Sequence, residues 1–281
     1  MANEAREQAI DLAPNHKLGL VVANPILLGA GAIGYGEAVP HGLDVALLGG
    51  AVVGPILGSS RGGKEPPRLA HLNGGVVLAT GLQNRGVNNA VQQYARLWAR
   101  FACPLIVQVA ESHPATLAKV VAKLGSLPGV QGIELLPVAG VEAGALAALL
   151  RSAERACDLP LWVKLPAGQA AALAPAACEA GAVGLVVSQA PNAAGLAAGA
   201  DGRPQALAGS LYGPLVFAST LEALLQVAAL RLPAALIACG GVHTLEQVQQ
   251  ALAAGARAVQ IDSAVWVEPA LPGWLAGMLT A

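Results

Sequence analysis

The chain has 281 residues, of which 55% are hydrophobic and only 12% are charged, and its formal net charge is -1. This balance excludes a basic nucleic-acid-binding surface, and no run of Lys or Arg is present that would hold an anionic membrane. No stretch reaches the ~18 consecutive apolar residues that a membrane-spanning helix needs. The first residues carry acidic side chains and lack the apolar core of a signal peptide. We therefore expect a soluble, cytoplasmic protein with no nucleic-acid or membrane partner.

Neither the cysteines nor the histidines are spaced for a metal site. The four cysteines include no CxxC pair, whereas a zinc or iron–sulfur centre needs clustered thiolates. His41, His71, His113 and His243 are equally scattered, which favours surface or capping roles. We predict no metal ligands.

Short apolar runs alternate along the chain with Ala-rich segments of helical period. Eight of these runs predict strands, at Ile26–Leu28, Ala51–Gly54, Leu105–Ala110, Gly132–Leu135, Leu161–Leu165, Gly184–Val187, Ala235–Ala238 and Ala258–Ile261. Their continuous apolar character is typical of parallel strands that are buried on both faces.

The segments between the runs predict helices at Val87–Arg100, Pro114–Leu124, Ala143–Cys157, Ala170–Glu179, Thr220–Ala229 and Thr244–Ala253. The last two begin with Thr, a residue type that caps helix N-termini, and Gln247 would complete a capping box with Thr244. Alternation of this kind predicts right-handed βαβ units and a parallel sheet. We predict an α/β fold, a (β/α)8 TIM barrel that forms a single domain over residues 1–281.

Two segments lie outside this alternation. The run Leu18–Val22 followed by Pro25–Leu28 predicts an N-terminal hairpin that plugs the bottom of the barrel. The segment Gly54–Gly86 has many Gly and Pro residues and no helical pattern. Because loops of this length are usually functional, and because barrel active sites are built at the carboxyl ends of strands, we expect this segment to cover the barrel mouth.

Six segments, in matching order and spacing, resemble a single enzyme family. They are Asn24–Gly36, Glu65–Val87, Val163–Gly168, Gly209–Pro214, Ala238–Thr244 and Ala254–Ala264. Together they are similar to dihydroorotate dehydrogenases, in particular to the catalytic subunit of the form that pairs with an iron–sulfur flavoprotein subunit. The resemblance implies an FMN-dependent oxidoreductase of pyrimidine biosynthesis, which forms a homodimer or associates with a related subunit.

The resemblance also implies a set of cofactor-binding residues, which are Gly31, Lys164, Gly213, Gly240, Gly241 and Ser263. Gly240 and Gly241 follow the seventh strand and precede the helix that begins at Thr244. Their amides could approach the FMN phosphate there, at a helix N-terminus. The alternative is that the two glycines form only a tight turn between strand and helix.

Lys164 and Asn84 each have two interpretations. Lys164 ends the fifth strand and is expected to point into the barrel mouth, where a buried ammonium needs a partner. The resemblance implies contact with the flavin ring, and the alternative is a salt bridge to a neighbour such as Glu134. Asn84 matches a residue that hydrogen-bonds the pyrimidine substrate, but Asn in a Gly-rich loop is also an ordinary turn residue.

The family's proton-accepting residue is missing from this chain. The family has a Cys or Ser base in the loop after the fourth strand, where this chain has Ala139. Removing a general base costs ~10²–10⁴-fold in rate. Leu136 and Val141 replace the flanking asparagines, and Leu78 replaces an asparagine of the substrate loop. We therefore predict no catalytic residue.

Further departures lie beside the predicted flavin site. They are Gly54-Pro55 for a Thr-Lys pair, Ala30 for Ser, Gln108 and Gln189 for asparagines, and Asp262 for Gly. Charges ~5 Å apart at an effective dielectric of ~20 repel by roughly 3 kcal/mol, so we predict that a carboxylate at Asp262 leaves FMN binding weak or absent. The exception would be an Asp262 side chain that turns away to cap an amide or to pair with Arg257.

Three functional hypotheses follow. The leading one is a degenerate dihydroorotate dehydrogenase-like barrel without normal turnover, which acts as a binding or structural homologue. The alternative is a functional FMN-dependent oxidoreductase of the same family with an altered site. A third is a barrel that binds another phosphorylated ligand.

Overall fold

The computed structural model describes residues 10–200 and 202–280 and contains eight parallel strands that close into a barrel. The strands in chain order are β1 (Ile10–Asp11), β2 (Val21–Val22), β3 (Ile26–Leu28), β4 (Gly50–Ile56), β5 (Leu69–Leu72), β6 (Gly75–Leu78), β7 (Leu105–Val109), β8 (Val130–Leu135), β9 (Leu161–Pro166), β10 (Gly184–Gln189), β11 (Asn192–Ala198), β12 (Pro204–Tyr212), β13 (Ala235–Cys239) and β14 (Ala258–Ile261). The barrel consists of β3, β4, β7, β8, β9, β10, β13 and β14 in that order, and β14 pairs with β3. All eight predicted strands are confirmed, and the fold is a (β/α)8 barrel.

Helices surround the barrel and bury their apolar faces against it. They are α1 (Val87–Trp98), α2 (Pro114–Gly125), α3 (Ala143–Glu154), α4 (Ala170–Glu179), α5 (Phe217–Ala229), α6 (Leu245–Ala253) and α7 (Leu271–Thr280). The connection from β3 to β4 carries a short 3-10 helix, Val45–Leu47. Within the described ranges, no helix is long and apolar enough to cross a membrane.

The two predicted Thr caps differ in outcome. Thr244 caps α6, and its side chain and that of Gln247 form the predicted capping box. Thr220 is not a cap, because α5 begins three residues earlier at Phe217. The Thr220 side chain is buried, and its hydroxyl lies 3.4 Å from the carbonyl oxygen of Cys239 at the end of β13. The Thr220 side chain therefore makes an interior contact and does not cap a helix terminus.

The N-terminal hairpin exists, but its strands differ from the predicted ones. β1 pairs antiparallel with β2, whereas Ile26–Leu28 is the first barrel strand. Leu12, just after β1, is fully buried and accepts a hydrogen bond from the indole of Trp162 at the start of β9 (3.0 Å). Gly132 and Gly184 flank this indole so closely that a Cβ on either would collide with it. The hairpin and Trp162 thus close the barrel at the amino ends of its strands.

A second, four-stranded antiparallel sheet lies at the opposite end of the barrel, in the order β11-β12-β6-β5. It forms from two excursions, one after the carboxyl end of β4 and one after that of β10. The excursion after β4 is the segment that was expected to cover the barrel mouth, and β6 joins it to β12. One face of this sheet carries a buried apolar cluster, namely Ala70, Val77, Ala79, Ala197 and Leu207.

Candidate functional site

Four buried polar side chains form one hydrogen-bonded network inside the barrel. Both carboxylate oxygens of Glu134 accept hydrogen bonds of 2.6 Å, one from Gln108 Nε2 and one from Gln260 Nε2. The ammonium of Lys164 donates to Gln260 Oε1 (2.8 Å) and lies 3.5 Å from Glu134 Oε1. These residues come from β7, β8, β9 and β14, so the network spans the barrel interior.

In the structure, Lys164 is paired with Glu134, which is the salt bridge that the sequence left open as an alternative. Glu134 is only 1% exposed and Lys164 only 7%, so both charges are shielded from water. Burial acts to lower the pKa of Lys164, but the negative charges that Cys239, Glu134 and Asp262 can carry outweigh it, and the pKa is raised. The structure therefore shows the salt bridge to Glu134; contact with a flavin ring stays a prediction.

Asp262 points one of its oxygens at the residue that follows it. Its Oδ1 accepts hydrogen bonds from the amide and the hydroxyl of Ser263, at the start of a short 3-10 helix. Its Oδ2 lies 4.0 Å from the thiol of Cys239, and Ser263 Oγ lies 3.4 Å from His243 Nε2. Asp262 thus caps an amide, which is one of the two exceptions named in the sequence analysis. The capped amide belongs to Ser263, a predicted cofactor-binding residue.

Gly240 and Gly241 are required by close packing against α5. Both have positive φ values, 118° and 73°. A Cβ on Gly240 would lie 2.8 Å from Thr220 Oγ1, and one on Gly241 would lie 2.3 Å from the Phe217 amide nitrogen. The pair therefore forms the tight turn that the sequence offered as the alternative, and a role in phosphate binding stays a prediction.

Asn84 makes two side-chain hydrogen bonds within its own turn. Its Nδ2 donates to the Leu82 carbonyl (2.9 Å), and its Oδ1 accepts from the Gly86 amide (2.8 Å). The side chain is buried, and its backbone pairs with Arg61 across the same excursion. These contacts match the turn interpretation of Asn84.

The other two predicted glycines differ from each other in their surroundings. Gly31 is exposed, and a Cβ there would contact nothing. Gly213 packs against the β5–β6 hairpin, where a Cβ would lie 2.7 Å from both the Gly74 carbonyl oxygen and the Gly75 Cα. Packing thus explains Gly213 but not Gly31.

The loop between β8 and α3 is the place where the family base is expected. Ala139 lies in this loop and is exposed, whereas Val141 is buried. Gln189 reaches the loop from the end of β10 and donates to the Pro137 carbonyl (2.9 Å). Ala139, Leu136 and Val141 offer no side-chain group that could take a proton or bind a substrate.

Sequence reasoning overlooked three residues of this region, Gln260, Cys239 and Tyr212. Gln260 lies in an otherwise apolar strand, and this isolated polar residue was the available signal. Cys239 was interpreted only as a small buried residue, yet it ends a strand beside Lys164 and Asp262. Tyr212 ends β12, a strand that was not predicted. Among the described residues, no His, Cys, Asp or Glu cluster could hold a metal ion.

Comparison with known proteins identifies the family. A family model for dihydroorotate dehydrogenase matches residues 14–273. The catalytic subunit of dihydroorotate dehydrogenase B (NAD(+)) from Desulforudis audaxviator is 32% identical, over 89% of this chain and 86% of that protein. The protein of the same name from Pelobacter propionicus is 30% identical over the same shares.

A solved structure agrees in fold. The crystal structure of DHODH from Eimeria tenella in complex with ferulenol superimposes with a TM-score of 0.78 over 96% of this chain and 83% of that one. At 17% sequence identity, this likeness supports the fold alone. With the family model and the relatives, the sequence match extends over most of the chain, and the chain belongs to the dihydroorotate dehydrogenase family.

Proposed function

We propose that this chain is a dihydroorotate dehydrogenase-like barrel that has lost normal turnover and acts as a binding or structural homologue. The observation that carries the proposal is the exposed Ala139 in the loop between β8 and α3, where the family resemblance predicts the base. A methyl group takes up no proton, and its neighbours Leu136 and Val141 cannot substitute for it. The hydrogen bonds of Asn84 within its own turn add support, because a pyrimidine would have to share its amide with the Leu82 carbonyl and the Gly86 amide.

Turnover is tested with dihydroorotate and saturating FMN, with fumarate, quinone or NAD as the electron acceptor. We expect less than ~1 turnover per second, the low end for ordinary enzymes. Ala139→Cys alone should not restore activity, because Leu78, Leu136 and Val141 would still leave the substrate unbound. A faster rate in the unaltered protein would overturn the proposal.

We further propose that FMN binds weakly or not at all. The Asp262 carboxylate already accepts the Ser263 amide, so a phosphate would have to displace it and would meet its negative charge. The residues at this position therefore fit an FMN phosphate poorly. Half of a roughly 3 kcal/mol repulsion corresponds to about tenfold in affinity.

The flavin test is a titration of the purified protein that is followed by FMN fluorescence. We expect a colourless protein whose FMN affinity rises about tenfold in Asp262→Gly, the factor derived from the charge repulsion. Asp44→Gly is the matched control, because Asp44 also caps a short 3-10 helix by accepting an amide, at the connection between β3 and β4. A yellow wild-type protein with one FMN per chain would refute weak binding.

That yellow protein would also promote the second candidate, a functional FMN-dependent oxidoreductase with an altered site. The observation in its favour is Lys164, which keeps a positive charge inside the barrel where the family places a flavin contact. Under either function, we propose association with a second copy or with a related subunit. Sedimentation of the purified chain, and of complexes recovered from its own cells, tests this association.

A further inference from the structure

The floor of the barrel mouth is a group of three titratable side chains from three barrel strands. Lys164 lies in β9, Cys239 ends β13, and Asp262 directly follows β14. The Cys239 thiol is 1% exposed and approaches the Asp262 carboxylate at 4.0 Å. Any ligand that is to reach this group must pass the side chains above it.

Tyr212 approaches the floor from a different part of the chain. It is the last residue of β12, in the excursion that follows β10. Because side chains alternate along a strand, Tyr212 points away from the small apolar cluster against which its neighbour Leu211 packs. On this other face of the sheet, the Tyr212 ring contacts Trp266, which lies just after the barrel strand β14.

The Tyr212 ring is held in place by Trp266. The two ring centroids lie 5.3 Å apart with planes tilted by 53°, within the range of favourable aromatic pairs. Trp266 ends the short 3-10 helix that Asp262 caps. The aromatic pair therefore ties the mouth sheet to the carboxyl end of β14, beside the floor.

The electrostatic surroundings of the Tyr212 hydroxyl agree with this position. Its pKa is raised to about 12, first by burial and then by the charge of Asp262, whereas the charge of Lys164 acts to lower it. The hydroxyl thus lies close enough to the floor group to respond to both charges, even though the residue as a whole is only partly buried.

We propose that Tyr212, held by Trp266, covers the floor of the barrel mouth and is the residue that keeps flat aromatic ligands away from Lys164 and Cys239. The proposal rests on the proposed function in one respect, since it takes the barrel mouth as the ligand site. It names a specificity-determining residue that acts separately from Asp262. Asp262 opposes an anionic group by its charge, and Tyr212 opposes a ring by occupying its space.

The test measures access to the floor without any flavin. Methyl methanethiosulfonate, a small neutral thiol reagent, is added to the folded protein, and labelling of each cysteine is followed by peptide mass spectrometry. Cys103 is the internal standard, because burial raises its pKa to about 12, the same value as for Cys239. A rise in the Cys239 labelling rate that Cys103 does not share therefore reports a local opening at the floor and not an opening of the whole protein.

Three variants decide the outcome. Tyr212→Ser and Trp266→Ala should label at Cys239 at least about tenfold faster than the wild type, a factor within reach of the loss of one aromatic pair. Trp274→Ala is the matched control, because Trp274 lies on α7 with an exposure of 52%, close to the 44% of Trp266. Its Cys239 rate should equal that of the wild type.

Unchanged Cys239 labelling in Tyr212→Ser, with Cys103 still protected, would overturn the proposal. If Cys103 also became reactive in that variant, the protein would have opened as a whole, and Trp266→Ala, altered at an exposed position, would decide instead. A yellow wild-type protein would refute weak FMN binding and the exclusion of flat rings, whereas the labelling rates would still decide whether Tyr212 covers Cys239. Conversely, fast Cys239 labelling without FMN binding in Tyr212→Ser would support the role of Tyr212 as a cover. Asp262 would then be the residue that still opposes FMN binding.

Discussion

The Glu134→Gln substitution should destabilise the barrel strongly, because it disturbs a buried network of charged and polar groups. In the native network both Glu134 oxygens accept hydrogen bonds, from Gln108 and from Gln260, and the Lys164 ammonium lies 3.5 Å away. An amide at position 134 would turn an NH2 group toward one of two other NH2 groups, so at least one Gln would have to flip. If Gln260 flipped, the ammonium would lose its 2.8 Å acceptor as well.

The size of this effect follows from burial. Removing one partner of a buried ion pair leaves an uncompensated charge and typically costs about 3–5 kcal/mol. We expect a loss of that size in the free energy of unfolding, measured by urea denaturation with an unchanged m-value. Glu134→Gln combined with Lys164→Met should recover part of the loss, because the unpaired ammonium is then removed.

The control is Asp158→Asn, which removes the partner of Lys17 from an ion pair whose two side chains are 85% and 63% exposed. Exposed pairs of this kind contribute little, so the urea midpoint should hardly move. A Glu134→Gln variant that lost less than about 1 kcal/mol, or a double variant no more stable than the single one, would refute the reasoning about the buried charge.

Two further predictions concern Asn84 and His243. Asn84→Ala should cost about 1–3 kcal/mol in the free energy of unfolding, because the buried Gly86 amide loses its acceptor. Asn89→Ala, which removes only an exposed bond to the Arg85 carbonyl, should cost less, and equal losses would contradict the turn role. Burial lowers the pKa of His243 and Asp262 raises it, so an NMR titration should show a lower pKa in Asp262→Asn. Because the unfolded state binds the His243 proton first, this group lowers stability as pH falls below its ordinary value of 6.5, and an unchanged pKa in Asp262→Asn would contradict the contact.

The barrel could be predicted because its strands are buried on both faces and are therefore continuous apolar runs. Leu105–Val109 and Ala258–Ile261 are examples in which every residue is buried and a single Gln interrupts the apolar run. The mouth sheet could not be predicted in the same way. β11 is rich in Ala and Gly, β12 contains both as well, and neither has the β-branched residues that mark strands. The pairing of β12 with β6 is set by the tertiary contact between two excursions that are far apart in sequence.

The site was predictable as a set of positions but not as a set of contacts. Lys164 and Glu134 could be named as a candidate pair because each is a charged residue in a buried strand. That Gln108 and Gln260 would complete the network depends on the register of four strands, which the sequence does not reveal. The position of Tyr212 could not be predicted for a related reason. It depends on β12, a strand whose composition does not indicate a strand.

The polar groups inside the barrel are hydrogen-bonded to one another. In the described part of the chain, every buried side-chain nitrogen and oxygen atom has a hydrogen-bond partner. A ligand at the floor would have to replace some of these bonds, and each buried group left unsatisfied costs about 1–3 kcal/mol. A barrel whose interior depended on a cofactor would instead lose the stabilisation that binding supplies. Glu134, Gln260, Lys164 and Asp262 satisfy one another or their neighbours, so a ligand at the floor has to compete with bonds that the protein already makes.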